Sequence, residues 1–274
     1  SDRKLSVDSS LKLAARIFFT VSKSDGRFYY LKPSFPIAKL NTVLEQYGAA
    51  PVPPYIKHSR KVSMRLREQY QTIFAKKYGS IAAPTASLHF TKRLLKELKR
   101  NGFGVEFVTL HVGLGTFAPV TDEQLRKKKL HSEHYSIDTA TARRLNTAKK
   151  AGRPIIAVGT TVVRALESAC PPSLRPSAIR LEPSGDRRAD SGVSRRAAAR
   201  QTLNAGSGAT ELFIIPGYRF KFVDGIITNF HVPRSSLLML VSAFCSRNEI
   251  LSIYKKALAK RFRLFSFGDG MLIV

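Results

Sequence analysis

A chain of 274 residues, 43% of them hydrophobic, is long enough to bury one large core or two smaller ones, and two subdomains are expected. Its 46 Lys and Arg against 19 Asp and Glu give a formal charge of +27, which favours a polyanionic partner such as RNA, DNA or an anionic membrane surface, with salt-dependent attraction. Two cysteines without Cys-x-x-Cys spacing exclude a disulfide framework and a cysteine-rich zinc site, and the longest apolar stretch, Leu237 to Cys245, falls far short of the ~20 residues of a membrane span. The expectation is a soluble protein of the reducing cytoplasm with no membrane partner.

In chain order, residues 12–23, Asp25-Gly26 and residues 27–32 read as strand, turn and strand, a hairpin that must join other strands to be stable. Residues 37–48 carry apolar side chains at helical spacing and stop at Gly48, and the Pro-rich stretch that follows makes a connector. From Leu66 helices and strands alternate, the order of an α/β domain. Thr91 caps a helix ended by Gly102, residues 104–113 are β-rich, 138–152 form a capped basic helix, 154–158 a short buried strand and 160–169 another helix. Strands at 211–215 and 224–230 and helices near 235–247 and 249–261 complete the pattern. Between them, residues 171–209 hold seven Arg, three acidic residues and few aliphatics, and read as a loop.

Several stretches have the composition of a site. In "LHVGLGTF", Gly113 and Gly115 follow a strand and would let backbone approach a ligand, but Pro119 removes the helix that a Rossmann or methyltransferase fingerprint needs. A tight turn explains the glycines equally well. In "AVGTTVVRALES", Gly159, Thr160 and Thr161 bring free N–H groups and hydroxyls to a helix start, as an anion site or an ordinary cap would. In "LHSEHYSI", His131 and His134 would point to opposite faces of a strand, which argues against a metal; Glu133 remains a candidate acid or base. His89 closes a run of small residues, as a core histidine or a site residue. Within "IITNFHVPRSS", Asn229, His231 and Arg234 fall where a strand ends and a helix begins, and Arg234 needs an anion if it is buried.

Taken together, "VPPYI", "YQTIFAKKYGSIAAPTASLHF", "VTLHVGLGTFAPV", "HSEHY", "AVGTTVVRALES", "TELFIIPGYRFKFVDGIITNFHVPRSSLLMLVSAF" and "RFRLFSFGDGMLIV" occur in an order that resembles the S-adenosylmethionine:tRNA ribosyltransferase-isomerase family of queuosine synthesis. The resemblance implies a mixed-sheet α/β catalytic domain over 51–274 and, in residues 1–50, the remnant of a smaller inserted β-barrel; the family's long N-terminal region with its Asn-Asn-Thr-Arg segment is not matched, and the Arg-rich stretch before Thr210 replaces a short Trp-bearing link. It implies transfer and isomerisation of the ribosyl part of S-adenosylmethionine onto 7-aminomethyl-7-deazaguanine in tRNA, with adenine and methionine released and epoxyqueuosine formed. S-adenosylmethionine is then a consumed substrate rather than a cofactor, no metal is needed, tRNA is the partner, and the chain acts as a monomer. His231, Glu133, His89 and His111 become the expected proton carriers. Asn229, Arg234, Gly113, Gly115, Thr116, Gly159, Thr160, Thr161 and Arg164 become the expected substrate-binding residues. A tRNA-binding remnant without catalysis is the alternative.

Overall fold

The computed structural model describes residues 4–25, 29–48, 52–53, 55–56, 63–77, 79–113, 120–171 and 202–274. They belong to two units, Ser1–Gln69 and Tyr70–Val274.

In the first unit, β1 (Ser10–Ala14), β2 (Ile17–Ser24) and β3 (Tyr29–Pro33) form an antiparallel sheet in that order. The hairpin expected from sequence is thus a three-stranded meander, because the run 12–23 breaks at Ala15-Arg16 and Ala14 pairs back on Ile17. The extra strand covers the second edge of β2, which supplies the partner a lone hairpin lacks. Val21 is fully buried, and Phe19 packs edge-to-face on Phe35 with centroids 5.6 Å apart. Helix α1 (Leu40–Tyr47) ends at Gly48, whose N–H donates to the Leu44 carbonyl at 2.9 Å. Helix α2 (Ser63–Gln69) closes the unit, and Arg67 donates to the Glu45 carbonyl.

The second unit follows the alternating pattern. Helix α3 (Lys92–Arg100) starts at Thr91, whose hydroxyl accepts the Leu94 N–H. Strand β4 is confined to Thr109–His111, shorter than the β-rich stretch around it. Helix α4 (Asp122–Lys127) opens on a capping box between Thr121 and Gln124. Then come β5 (Lys129–Ile137), α5 (Thr139–Lys150) capped by Asp138, β6 (Ile156–Val158) and α6 (Thr160–Ala169). Residues 172–201 of the expected loop lie outside the described residues. Its end does not behave as a loop: Leu203 is buried, and β7 (Gly206–Leu212) begins inside it, because long-range pairing with β5 gives this Gly- and Ser-rich segment a partner. Strand β8 (Gly225–Asn229), α7 (Ser236–Phe244), α8 (Arg247–Ala259) and β9 (Gly270–Ile273) complete the unit.

Two sheets result. One is antiparallel, ordered β4-β5-β7; the other is mixed, ordered β6-β8-β9, with β6 and β8 parallel and β9 antiparallel to β8. Helix α6 is buried along most of its length, and its Val163 and Leu166 share a core with Ile137, Ala157, Phe222, Ile226 and Leu240. Such a helix has no solvent face, so its charged residues must be neutralised inside. Among the described residues, no single helix is long and apolar enough to cross a membrane.

Candidate functional site

The parallel pair β6–β8 sets the position. Gly159 follows β6 immediately, donates its N–H to the Ile227 carbonyl of β8 at 2.9 Å, and turns into α6 with φ +98°, a conformation that glycine adopts freely. Among the described residues, no side chain caps the start of α6, which follows the carboxyl end of β6. Thr160 and Thr161 stand there, both buried. They share a cleft with Glu133, Arg164, Ser236 and Leu237. Its volume of about 20 Å³ is room for a water molecule.

Arg164 rises from α6 into this region but is engaged internally. Its Nη1 donates to Glu133 Oε2 at 2.7 Å, Nε to the Leu212 carbonyl at 2.9 Å, and Nη2 to the His131 and Thr210 carbonyls, each at 3.3 Å. With Arg164 5% and Glu133 6% exposed, this is a buried ion pair that ties α6 to β5 and β7. The carboxylate expected as an acid or base is thereby committed to a guanidinium.

The end of β8 carries the second group. Side chains alternate along a strand, so Ile226 and Thr228 share the core face while Ile227 and Asn229 face the other way. Thr228 Oγ1 lies 2.8 Å from His231 Nε2, and the His231 backbone N–H donates to the Tyr254 hydroxyl of α8 at 2.6 Å. Burial pulls the His231 imidazole down to about 4 and raises the Tyr254 phenol. On the opposite face, Asn229 Nδ2 donates to His89 Nε2 at 3.1 Å. His89 ends a 3-10 turn, Thr85–His89, whose Ala86 Cβ lies 3.9 Å from where a Cβ on Gly159 would stand. Gly270 pairs with Asn229 across β8–β9; a Cβ there would come within 3.2 Å of His89 Nε2. Asn229 is 2% exposed, and its Oδ1 has no hydrogen-bond partner among the described residues.

The structure therefore joins Asn229 to His89 and sends His231 to the other face of the sheet. Arg234 is exposed, so its charge needs no internal anion; its φ of 58° is a left-handed conformation unusual for a non-glycine residue, between Pro233 and Ser235, which caps α7. His111 pairs in register with His134, and a Cβ on Gly79 would come within 2.9 Å of its Nδ1, so that ring packs on a glycine. Gly113 borders open space, while Gly115 and Thr116 lie outside the described residues. Among the described residues, no three His, Cys, Asp or Glu side chains gather closely enough to hold a metal ion. Sequence reasoning missed Thr228, Tyr254 and Gly270 as partners of the site; the Gly268-Asp269-Gly270 run was the signal that backbone comes close there.

Against known proteins, residues 1–273 match the family described as "Queuosine biosynthesis protein". The chain is 47% identical over 232 residues to the S-adenosylmethionine:tRNA ribosyltransferase-isomerase of Halothermothrix orenii, covering 85% of this chain and 59% of that protein. It is 49% identical over 234 residues to the protein of the same name from Carboxydothermus hydrogenoformans, again covering 85% and 59%. A solved S-adenosylmethionine tRNA ribosyltransferase from Thermotoga maritima is 27% identical, with 99% of this chain and 67% of that chain covered at a TM-score of 0.47. The chain spans about three fifths of the length of these curated relatives.

Proposed function

Because this chain belongs to the queuosine biosynthesis protein family, we propose that it transfers and isomerises the ribosyl moiety of S-adenosylmethionine onto 7-aminomethyl-7-deazaguanine in tRNA, giving epoxyqueuosine, adenine and methionine. The observation that carries this reading is the 47% identity, over 85% of the chain, to a relative bearing that activity's name. The arrangement at the carboxyl ends of β6 and β8 is compatible with it, since an open helix start and a convergent polar pair stand where α/β sheets bind ligands.

The chemistry asks for a few groups. The sulfonium acidifies the adjacent ribose carbon, from which a base removes a proton; the aminomethyl nitrogen forms the new bond; adenine departs and takes up a proton; methionine leaves with the sulfur's electron pair. We assign His89 as the leading proton carrier, because it is exposed while Asn229 holds its Nε2. His111 is the second candidate. His231, half-buried and bonded to Thr228, positions the end of β8 instead. Thr160, Thr161 and the open end of α6 would receive the methionine carboxylate, and exposed Arg234 a tRNA phosphate. The protein would act as a cytoplasmic monomer, with the three-stranded sheet of the first unit as part of a β-barrel.

The test is to incubate the protein with S-adenosylmethionine and tRNA bearing the aminomethyl base, and to separate the small products. Adenine together with methionine is the expected result; S-adenosylhomocysteine would mean methyl transfer, and tRNA binding with neither product would leave an RNA-binding remnant. His89→Ala should lower adenine release by ~10²-fold or more.

A further inference from the structure

The carboxamide of Asn229 is half satisfied. Its Nδ2 is held by His89, whereas Oδ1 is buried with no partner among the described residues. A buried acceptor left without its hydrogen bond destabilises the fold, and folded proteins rarely leave one without a use. Three further observations say what the use is. Asn229 ends β8, beside the Gly159 turn and the uncapped start of α6, so the vacant acceptor stands at the rim where this sheet type receives ligands. Gly270, which pairs with Asn229 across β8–β9, has no side chain, and a Cβ there would come within 3.2 Å of His89 Nε2, so this strand end is built around the Asn229–His89 pair. An orphaned oxygen also repels carboxylate and phosphate oxygens, so Asn229 is no anion receptor.

We infer that the Asn229 side-chain oxygen accepts a hydrogen bond from the exocyclic amino group of a purine-like base and makes the site select a base that carries this amine over one that lacks it. This rests on the ribosyltransferase reading, in which two such bases are present, the adenine of S-adenosylmethionine and the 7-deazaguanine of tRNA. Both carry an exocyclic amine, and the experiment separates them. Asn229 is then a specificity-determining residue, oriented by His89.

Binding is measured by calorimetry for the full chain and for Asn229→Leu and Asn229→Asp, with two ligand pairs. One pair is S-adenosylmethionine against its deaminated, inosine-type analogue; the other is tRNA whose target base carries or lacks its 2-amino group. In one arm the wild type should prefer the amino form by roughly tenfold or more, since sites built around a hydrogen bond reject a partner that cannot make it. Leu should reduce that preference to about twofold or less, and Asp, which keeps an acceptor oxygen, should retain it. Melting temperatures within a few degrees of wild type identify the folded variants, and the inference is read on those. It is overturned if folded Asn229→Leu keeps the preference, if the wild type shows none in either arm, or if the forms lacking the amine bind better. A wild-type chain that neither binds S-adenosylmethionine nor releases adenine removes the ribosyltransferase reading, and this inference with it.

Discussion

Thr228 Oγ1 and His231 Nε2 lie 2.8 Å apart on the core-facing side of β8, and burial holds that imidazole at about 4 against an ordinary value near 6.5. Because the folded value is depressed, the unfolded chain takes up a proton between pH 6.5 and about 4 that the native protein does not. This contribution to stability is whole above the ordinary value, declines as pH falls through that window, and levels off below about 4. The slope should be on the order of 1 kcal/mol per pH unit for a fully buried ring, and less because His231 is partly exposed. Urea midpoints at pH 7, 5.5 and 4.5 should fall more steeply for wild type than for His231→Gln. Parallel curves would place the ring in solvent.

The Glu133–Arg164 pair should be costly to break from one side. Removing either partner leaves the other charge buried and unpaired, so Glu133→Ala or Arg164→Ala should lower unfolding free energy by about 3–5 kcal/mol. Replacing both by Met or Leu should cost clearly less than the two single losses combined, as measured by chemical denaturation. Additive losses would mean that the two side chains do not depend on each other.

Glu167 offers a stability test away from the proposed chemistry. This fully buried carboxylate accepts the N–H groups of Lys221, Phe222 and Val223 at 2.8, 2.9 and 3.0 Å and the Tyr218 hydroxyl at 3.0 Å, clasping the approach to β8 onto α6. Glu167→Gln turns one acceptor into a donor facing donors, and should cost about 2–4 kcal/mol. Amide exchange at Phe222 and Val223 should quicken beyond the change expected from global stability alone.

Binding of tRNA should weaken steeply with salt. With a formal charge of +27, each phosphate neutralised contributes about 0.7–0.9 to the slope of log K against log salt concentration. Titrations between 50 and 200 mM salt, roughly the physiological span, should show a loss of tenfold or more, whichever target base is present. Salt-independent binding would argue against phosphate contacts.

Local chemistry was legible where the cause is local. The caps at Thr91 and Asp138, the stop at Gly48 and the Gly159 turn between strand and helix all follow from the residue and its immediate neighbours. The site was legible only by half. The place where β8 ends could be read from polarity, but Asn229 bonds a histidine 140 positions away and Arg164 a glutamate 31 away, and no spacing rule reaches across such gaps. His231 was grouped with Asn229 because they are near in sequence. The two-residue period of a strand separates their partners, since Thr228 and Asn229 look opposite ways. The strand expected at 211–215 was placed too late in the chain for a related reason: β7 runs over Gly206–Leu212, and its Gly- and Ser-rich start owes its conformation to pairing with β5 rather than to its own propensity.

The order of pairing in the mixed sheet also bears on how the molecule is made. Strand β8 finds its parallel neighbour far upstream in β6 and its antiparallel neighbour in β9, whose Gly270 faces Asn229. Emerging from a ribosome, β8 has one flank bare until β9 follows it out, and its contacts are among the slow, distant kind. The proposed binding rim is therefore complete only once β9 docks, and any species stalled before that would hold β6 and β8 paired around a blind site.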